Sequence, residues 1–198
     1  MRILFKTNYK QDLNLAKHGG HRFWYGLLIL VLFAAPLILG GYYIGEATRI
    51  LIYAMAGLGL MVLTGFTGQV SLGHAAFLAI GAYTNAWFLA QGFSSFVALP
   101  MAALLSMIGG LLVAIPAARM SGIYLAIATL AFAIIVEDFA GHLNSITGGN
   151  RGMMVDVPML FGYQIWESWE LYLFVLSILV VVTLAVLNIL RSPLGRAM

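Results

Sequence analysis

The residues best suited to chemistry lie close together in "TGFTGQVSLGHAAFLAIGAY", positions 64–83, where Gln69, Ser71 and His74 fall among glycines 65, 68, 73 and 81. An amide, a hydroxyl and an imidazole share one capacity, the exchange of hydrogen bonds. If the following segment is helical, His74, Leu78, Gly81 and Asn85 recur at i, i+4, i+7 and i+11 and form one stripe. At 1.5 Å per residue, His74 and Asn85 stand roughly 16 Å apart along the axis. One small substrate cannot touch both, although both can line one pathway. Two readings stay open. In the first, His74 donates to the backbone of a neighbouring helix and Asn85 sits near an interface. In the second, Gln69, Ser71, His74 and Asn85 face a translocation pathway, since glycine-interrupted backbone at membrane depth is tolerated where it is buried or lines a cavity.

Other chemistry is excluded or disfavoured. There is no cysteine, which removes disulfides, thiolate metal sites and a cysteine nucleophile. No GxxxxGK phosphate loop occurs, so the chain cannot hydrolyse a nucleotide by itself. The four histidines show no HExxH or comparable ligand spacing, and His18, His21 and His142 fall near helix ends or loops. Glu137 and Asp138 are adjacent and project about 100° apart on a helix, which suits interfacial groups reaching water better than a paired carboxylate site. No catalytic residue, metal or cofactor is expected.

The elements that must position these residues follow from composition. Hydrophobic residues make up 62% of the 198 and charged residues 9%, with a mean hydropathy of +0.98. A soluble domain has roughly 45–50% apolar and about 25% charged residues. This is the makeup of an integral membrane protein. The net charge is +3, but the basic residues gather at the amino end and in connectors, which points to membrane lipid and topology and not to nucleic acid. A span needs about 20 mostly apolar residues, and six windows qualify: 23–41, 50–64, 70–90, 97–116, 122–140 and 171–190. The expected fold is all-α, a polytopic helical bundle with a transmembrane region over 23–190 and an uncleaved first helix.

With the amino terminus inside, Arg2, Lys6, Lys10, Lys17, Arg22, Arg119, Arg191 and Arg196 are cytoplasmic, and Arg49 and Arg151 are external. Basic residues near helix ends are retained in the cytoplasm, so this orientation is preferred. Omitting the third window would move Arg119, Arg191 and Arg196 outside; 70–90 is therefore expected to cross. Residues 1–22 then form a basic cytoplasmic segment. Residues 141–170 form an external connector with a turn at Gly148 and Gly149 and a surface-lying stretch at 164–170. Phe23, Trp24 and Tyr25 open the first helix, Tyr42 and Tyr43 close it, and Trp166 and Trp169 precede the last, as interfacial aromatics do. Small-residue stripes, Ala103, Ser106, Gly110 and Ala114 in the fourth window and Gly122, Ala126, Thr129 and Ala133 in the fifth, are read as packing seams.

"LTGFTGQVSLGHAAFLAIGAYTNA", "GIYLAIATLAFAIIVEDF", "NSITGGNRGM" and the closing "RSPLGRAM" together resemble the permease subunits of branched-chain amino acid ATP-binding cassette importers, the LivM-like branch, from about residue 50 onward. The resemblance implies a type II importer permease in a bacterial inner membrane. Such a subunit transports and is not an enzyme; ATP is hydrolysed on two separate cytoplasmic ATPase subunits. A second, LivH-like permease and a periplasmic or lipid-anchored substrate-binding protein complete the expected assembly. In that light the opening motif matches an interrupted helix beside the pathway. The "TGG" of Thr147, Gly148 and Gly149 matches an external loop that meets the binding protein. Arg191, Pro193, Gly195 and Arg196 match the start, at 191–198, of the loop that couples to the ATPases, and Pro193 also suits a helix start. Members of the family carry more spans than this length suggests, so a truncated chain is expected. A related permease for urea, short amides or a sugar, and a non-transporting receptor or scaffold, are the alternatives; the polar stripe of the third window favours transport.

Overall fold

The structure, a computed structural model, describes residues 19–117, 119–155, 157–160, 162–192 and 195. Arg2, Lys6, Lys10, Lys17, Pro193 and Arg196 lie outside the described residues. Among the described residues the chain forms six long helices: α1 (Gly19–Ile38), α2 (Gly41–Met61), α3 (His74–Ala90), α4 (Ser95–Ala117), α5 (Ile123–His142) and α6 (Ser168–Arg191). Four segments are long and apolar enough to cross a membrane: Gly41–Phe66, Ser95–Ala117, Ile123–His142 and Ser168–Arg191. The apolar part of α1, Phe23–Ile38, and the 17-residue α3 are shorter.

Two expected boundaries move. The second helix begins at Gly41, nine residues ahead of its apolar window at 50, because Glu46 and Arg49 lie one turn apart and pair at 3.1 Å on the exposed face. Such i, i+3 pairs are compatible with helix. Tyr42 and Tyr43 therefore open α2 and do not close α1. The third window is not helical from residue 70. Beyond Met61 the helix widens into a π turn, Val62–Phe66, with Thr67 N–H donating to the Val62 carbonyl five residues back. Thr64 and Thr67 turn their hydroxyls onto the Leu60 and Leu63 carbonyls, a competition that bends helices. Gly68, at φ 66°, then takes the left-handed conformation that ends the run, and helix resumes only at His74.

The helices pack in two groups. In the first, α2 lies along α6 with α1 alongside; its core is Ile44, Leu51, Tyr172, Val175 and Leu176, flanked by Leu32 and Ala35. Pro36 in the last turn of α1 removes the N–H that would bond the Leu32 carbonyl. The buried Tyr172 hydroxyl of α6 donates to that carbonyl at 3.0 Å. In the second group α3 packs on α4 and, less extensively, on α5. Ser95, Ala98, Ala102 and Gly109 are the buried small residues of α4; Ala103 and Ala114 are exposed. The packing face is thus rotated by about one residue from the expected stripe. Ser106 belongs to it, donating to the Phe77 carbonyl of α3 at 3.1 Å. On α5 the expected Ala126 and Thr129 are buried, whereas Gly122 is exposed and precedes the helix.

The connector between α5 and α6 carries more structure than expected. A single helical turn, Asn144–Thr147, leads through left-handed Gly148 and Gly149 into a 3-10 turn, Gly149–Arg151. A two-stranded antiparallel hairpin follows, β1 (Met159–Leu160) pairing Met159 with Gln164 and Leu160 with Tyr163 of β2 (Tyr163–Gln164). The stretch 164–170 comprises the end of this hairpin and the first turn of α6, with Trp166 and Trp169 exposed.

Candidate functional site

The seven residues from Thr67 to Gly73 form the irregular link between α2 and α3, and both neighbouring helix groups hold them. On one side, Leu72 N–H donates to Thr129 Oγ1 of α5 at 3.0 Å. At Gly73 the link runs so close to α5 that a Cβ would collide with the Thr129 carbonyl, which is why a residue without a side chain stands there. On the other side, His74 Nε2 lies 2.9 Å from the Ala56 carbonyl of α2. A carbonyl only accepts, so Nε2 carries the hydrogen. The ring is seated over Gly59, where a Cβ would come within 3.3 Å of Cε1, and edge-on to Phe77, whose ring meets Phe132 of α5. Helix α3 starts at once, with Ala76 N–H bonding the Gly73 carbonyl.

The structure therefore brings Gln69, Ser71 and His74 together in one link. The hydrogen bonds that fix it come from Thr67, Leu72 and His74 and from the Gln69 backbone, not from the Gln69 and Ser71 side chains. Gln69 is exposed and Ser71 half-buried. Asn85 stands apart, three turns along α3, with its Oδ1 buried and lacking a hydrogen-bond partner. Thr129 escaped the sequence reading as anything but a small residue. Its partner is a backbone N–H 57 positions away, and no side-chain pattern marks such a contact.

A second feature missed from sequence is a cavity of about 460 Å³ beside the C-terminal half of α3, lined by Tyr83, Trp87, Phe88, Leu105, Val136 and Phe139 among others. Its walls are almost wholly apolar and aromatic. It can shelter an aliphatic group, but it offers no charged partner to an ammonium or carboxylate.

The "TGG" loop corrects an expectation. Thr147 and Gly149 are buried, so they do not present a surface to a partner. The Thr147 hydroxyl shares its hydrogen between the Ala140 and Leu143 carbonyls, at 2.6 and 2.8 Å, and accepts from Gly149 N–H. It thereby caps the Ala140 carbonyl near the end of α5 and adds to the Leu143 carbonyl, which already accepts from Ile146 and Thr147 N–H. Asn150 and Arg151 are the exposed members of the loop, while Gly148 is half-buried. Asp138 pairs with His142 at 3.3 Å on the exposed end of α5. Tyr163 donates to Glu170 at 2.8 Å; this bond, and then the charge of the same carboxylate, raise the Tyr163 phenol above its ordinary value.

At the other end, Arg191 is the exposed last residue of α6, and Ser192 closes the helix by donating to the Ile189 carbonyl at 2.6 Å. Gly195 folds back against the Ile189 and Leu190 main chain, where a Cβ would crowd both residues. Among the described residues no group of three or more His, Asp or Glu side chains is placed to hold a metal ion.

A family model described as "Branched-chain amino acid transport system / permease component" matches residues 42–198. The high-affinity branched-chain amino acid transport system permease protein LivM of Salmonella typhimurium (strain LT2) is 36% identical over 195 residues, covering 86% of this chain and 46% of that protein. LivM of Escherichia coli (strain K12) is 36% identical over 200 residues, covering 88% and 47%. The chain thus spans about half the length of the curated relatives it matches. No solved structure matches.

Proposed function

Because the chain belongs to the family of permease components of branched-chain amino acid transport systems, and is accordingly a multi-pass membrane protein, we propose that it forms part of the translocation pathway of an ATP-binding cassette importer for leucine, isoleucine and valine. The observation that carries this reading is that the family match runs unbroken through the interrupted link at 67–73. The polar side chains of Gln69 and Ser71 are not consumed there by folding contacts. A solute leaving water for a membrane interior needs replacement hydrogen bonds. Gln69 and Ser71 are suited to supply them, with His74 holding the start of α3 beside them and Asn85 further along the same helix. An aliphatic side chain asks only for apolar cover, which the aromatic cavity beside α3 provides.

In this reading the amino terminus is cytoplasmic, in the inner membrane. Residues 1–22 form the basic inner segment, 23–190 the membrane region and 141–170 an external connector. The binding protein meets the connector through Asn150 and Arg151, with Thr147, Gly148 and Gly149 shaping the loop beneath. Arg191 and Gly195, continuing into Pro193 and Arg196 at 191–198, begin the surface that couples to two ATPase subunits, and a second, LivH-like permease completes the pathway. The chain performs transport and leaves ATP hydrolysis to the ATPases. The test is ATP-driven uptake of labelled leucine by the complete transporter in proteoliposomes. Gln69→Leu is expected to lower the uptake rate with all subunits still co-purifying; undiminished uptake removes the link from the pathway.

A further inference from the structure

Thr129 meets the interrupted link twice. Its hydroxyl is 2.9 Å from the Ala126 carbonyl one turn back on α5 and 3.0 Å from Leu72 N–H. The single hydroxyl hydrogen goes to Ala126, because a carbonyl can only accept. That leaves an oxygen lone pair for Leu72, whose N–H can only donate. The hydroxyl is therefore fixed in one orientation by groups that allow no exchange of roles. The Thr129 main-chain carbonyl lies against Gly73, closing off the space a side chain would need. Thr129 is buried at 6% exposure, and its bond to Leu72 lies at the half-buried edge of the link. Ser71 immediately precedes the pair that Thr129 holds and His74 immediately follows it.

We propose that Thr129 is the positioning residue of the pathway: from α5 it sets where the Leu72–Gly73 backbone lies, and through it where Gln69 and Ser71 stand relative to α3. The proposal rests on the reading of 67–73 as pathway lining. It names a determinant on a different helix from the groups that would touch substrate. Valine has the shape of threonine and no hydroxyl, so Thr129→Val leaves Leu72 N–H without its partner, and the link must move to find another. Thr129→Ser keeps the hydroxyl and drops only the methyl group.

The experiment uses the complete transporter in a cysteine-free background with Gln69→Cys as probe, since these 198 residues contain no cysteine. The rate at which a membrane-impermeant maleimide modifies the introduced thiol reports the position of the link, and leucine uptake is measured as KM and maximal rate in the same Thr129 variants with Gln69 intact. Thr129→Val is expected to change the modification rate by roughly tenfold, the scale of one lost hydrogen bond, while Thr129→Ser stays within about twofold. A wild-type rate in the valine variant overturns the proposal. So does a serine variant as altered as valine, because the methyl group and not the hydroxyl would then be responsible. If the valine variant does not assemble, the serine comparison alone decides. A changed modification rate with unchanged uptake upholds the positioning role and removes 67–73 from the pathway, so the two readings fail separately.

Discussion

His74 Nε2 donates to the Ala56 carbonyl across 2.9 Å, tying the first turn of α3 to α2 at the point where the two helix groups meet. Interhelical hydrogen bonds of this kind contribute roughly 0.6–1.7 kcal/mol in membranes. His74→Leu removes the donor and crowds Gly59 beneath the ring. Uptake by the complete transporter is expected to fall about threefold or more, the equivalent of that energy, with subunit co-purification unchanged. Normal uptake would leave the contact a packing detail.

Gly73 and Gly57 make a matched pair. A Cβ at Gly73 meets the Thr129 carbonyl, whereas one at Gly57 meets nothing within 4 Å. Gly73→Ala is expected to destabilise by about 1–3 kcal/mol through overpacking, and Gly57→Ala to be neutral or slightly stabilising. Thermal unfolding of the two purified variants in detergent separates them; equal midpoints would contradict the close approach.

Tyr172 and Pro36 are coupled through the Leu32 carbonyl. Tyr172→Phe leaves that half-buried carbonyl without this donor, at a cost of about 1 kcal/mol. Pro36→Ala returns an N–H to α1 that can bond Leu32 from within the helix. Tyr172→Phe should therefore cost less in the Pro36→Ala background than alone, and strict additivity across the double-mutant cycle would refute the link.

Thr147 closes α5 from inside the connector that follows it. Thr147→Val removes the hydroxyl that bonds the Ala140 carbonyl, while the Leu143 carbonyl keeps the Ile146 and Thr147 N–H donors; it is expected to destabilise by about 1 kcal/mol, with Thr147→Ser nearly neutral. A cysteine substituted for Asn150 should react faster with impermeant maleimide in the valine variant, as the loop loosens. An unchanged rate and midpoint would place the cap elsewhere.

The six long helices were legible because long apolar windows leave few alternatives, and the interruption at 67–73 was legible because glycines and polar groups are out of place in such a chain. Helix faces were less so. Small residues mark a packing seam only loosely, and the α4 face lies one position away from its most regular stripe. The early start of α2 was hidden because Glu46 and Arg49 precede the apolar window and pair only once the helix sets them one turn apart. Thr147 and Gly149 looked like a presented loop, since turn chemistry has the same signature whether the turn faces outward or caps a helix. The hairpin at 159–164 is too short to carry a period, and Thr129 recognises backbone, which has no sequence signature at all.

Gln69 is the exposed polar side chain of the link, without a side-chain hydrogen bond among the described residues, so blocking it tests the central claim most directly. In the complete, otherwise cysteine-free transporter, the Gln69→Cys variant is modified to completion with a bulky maleimide and ATP-driven leucine uptake is measured in proteoliposomes. The account predicts that uptake falls to background while the subunits remain associated, and that leucine delivered by the binding protein slows the modification. Full uptake with the introduced thiol stoichiometrically modified would contradict it.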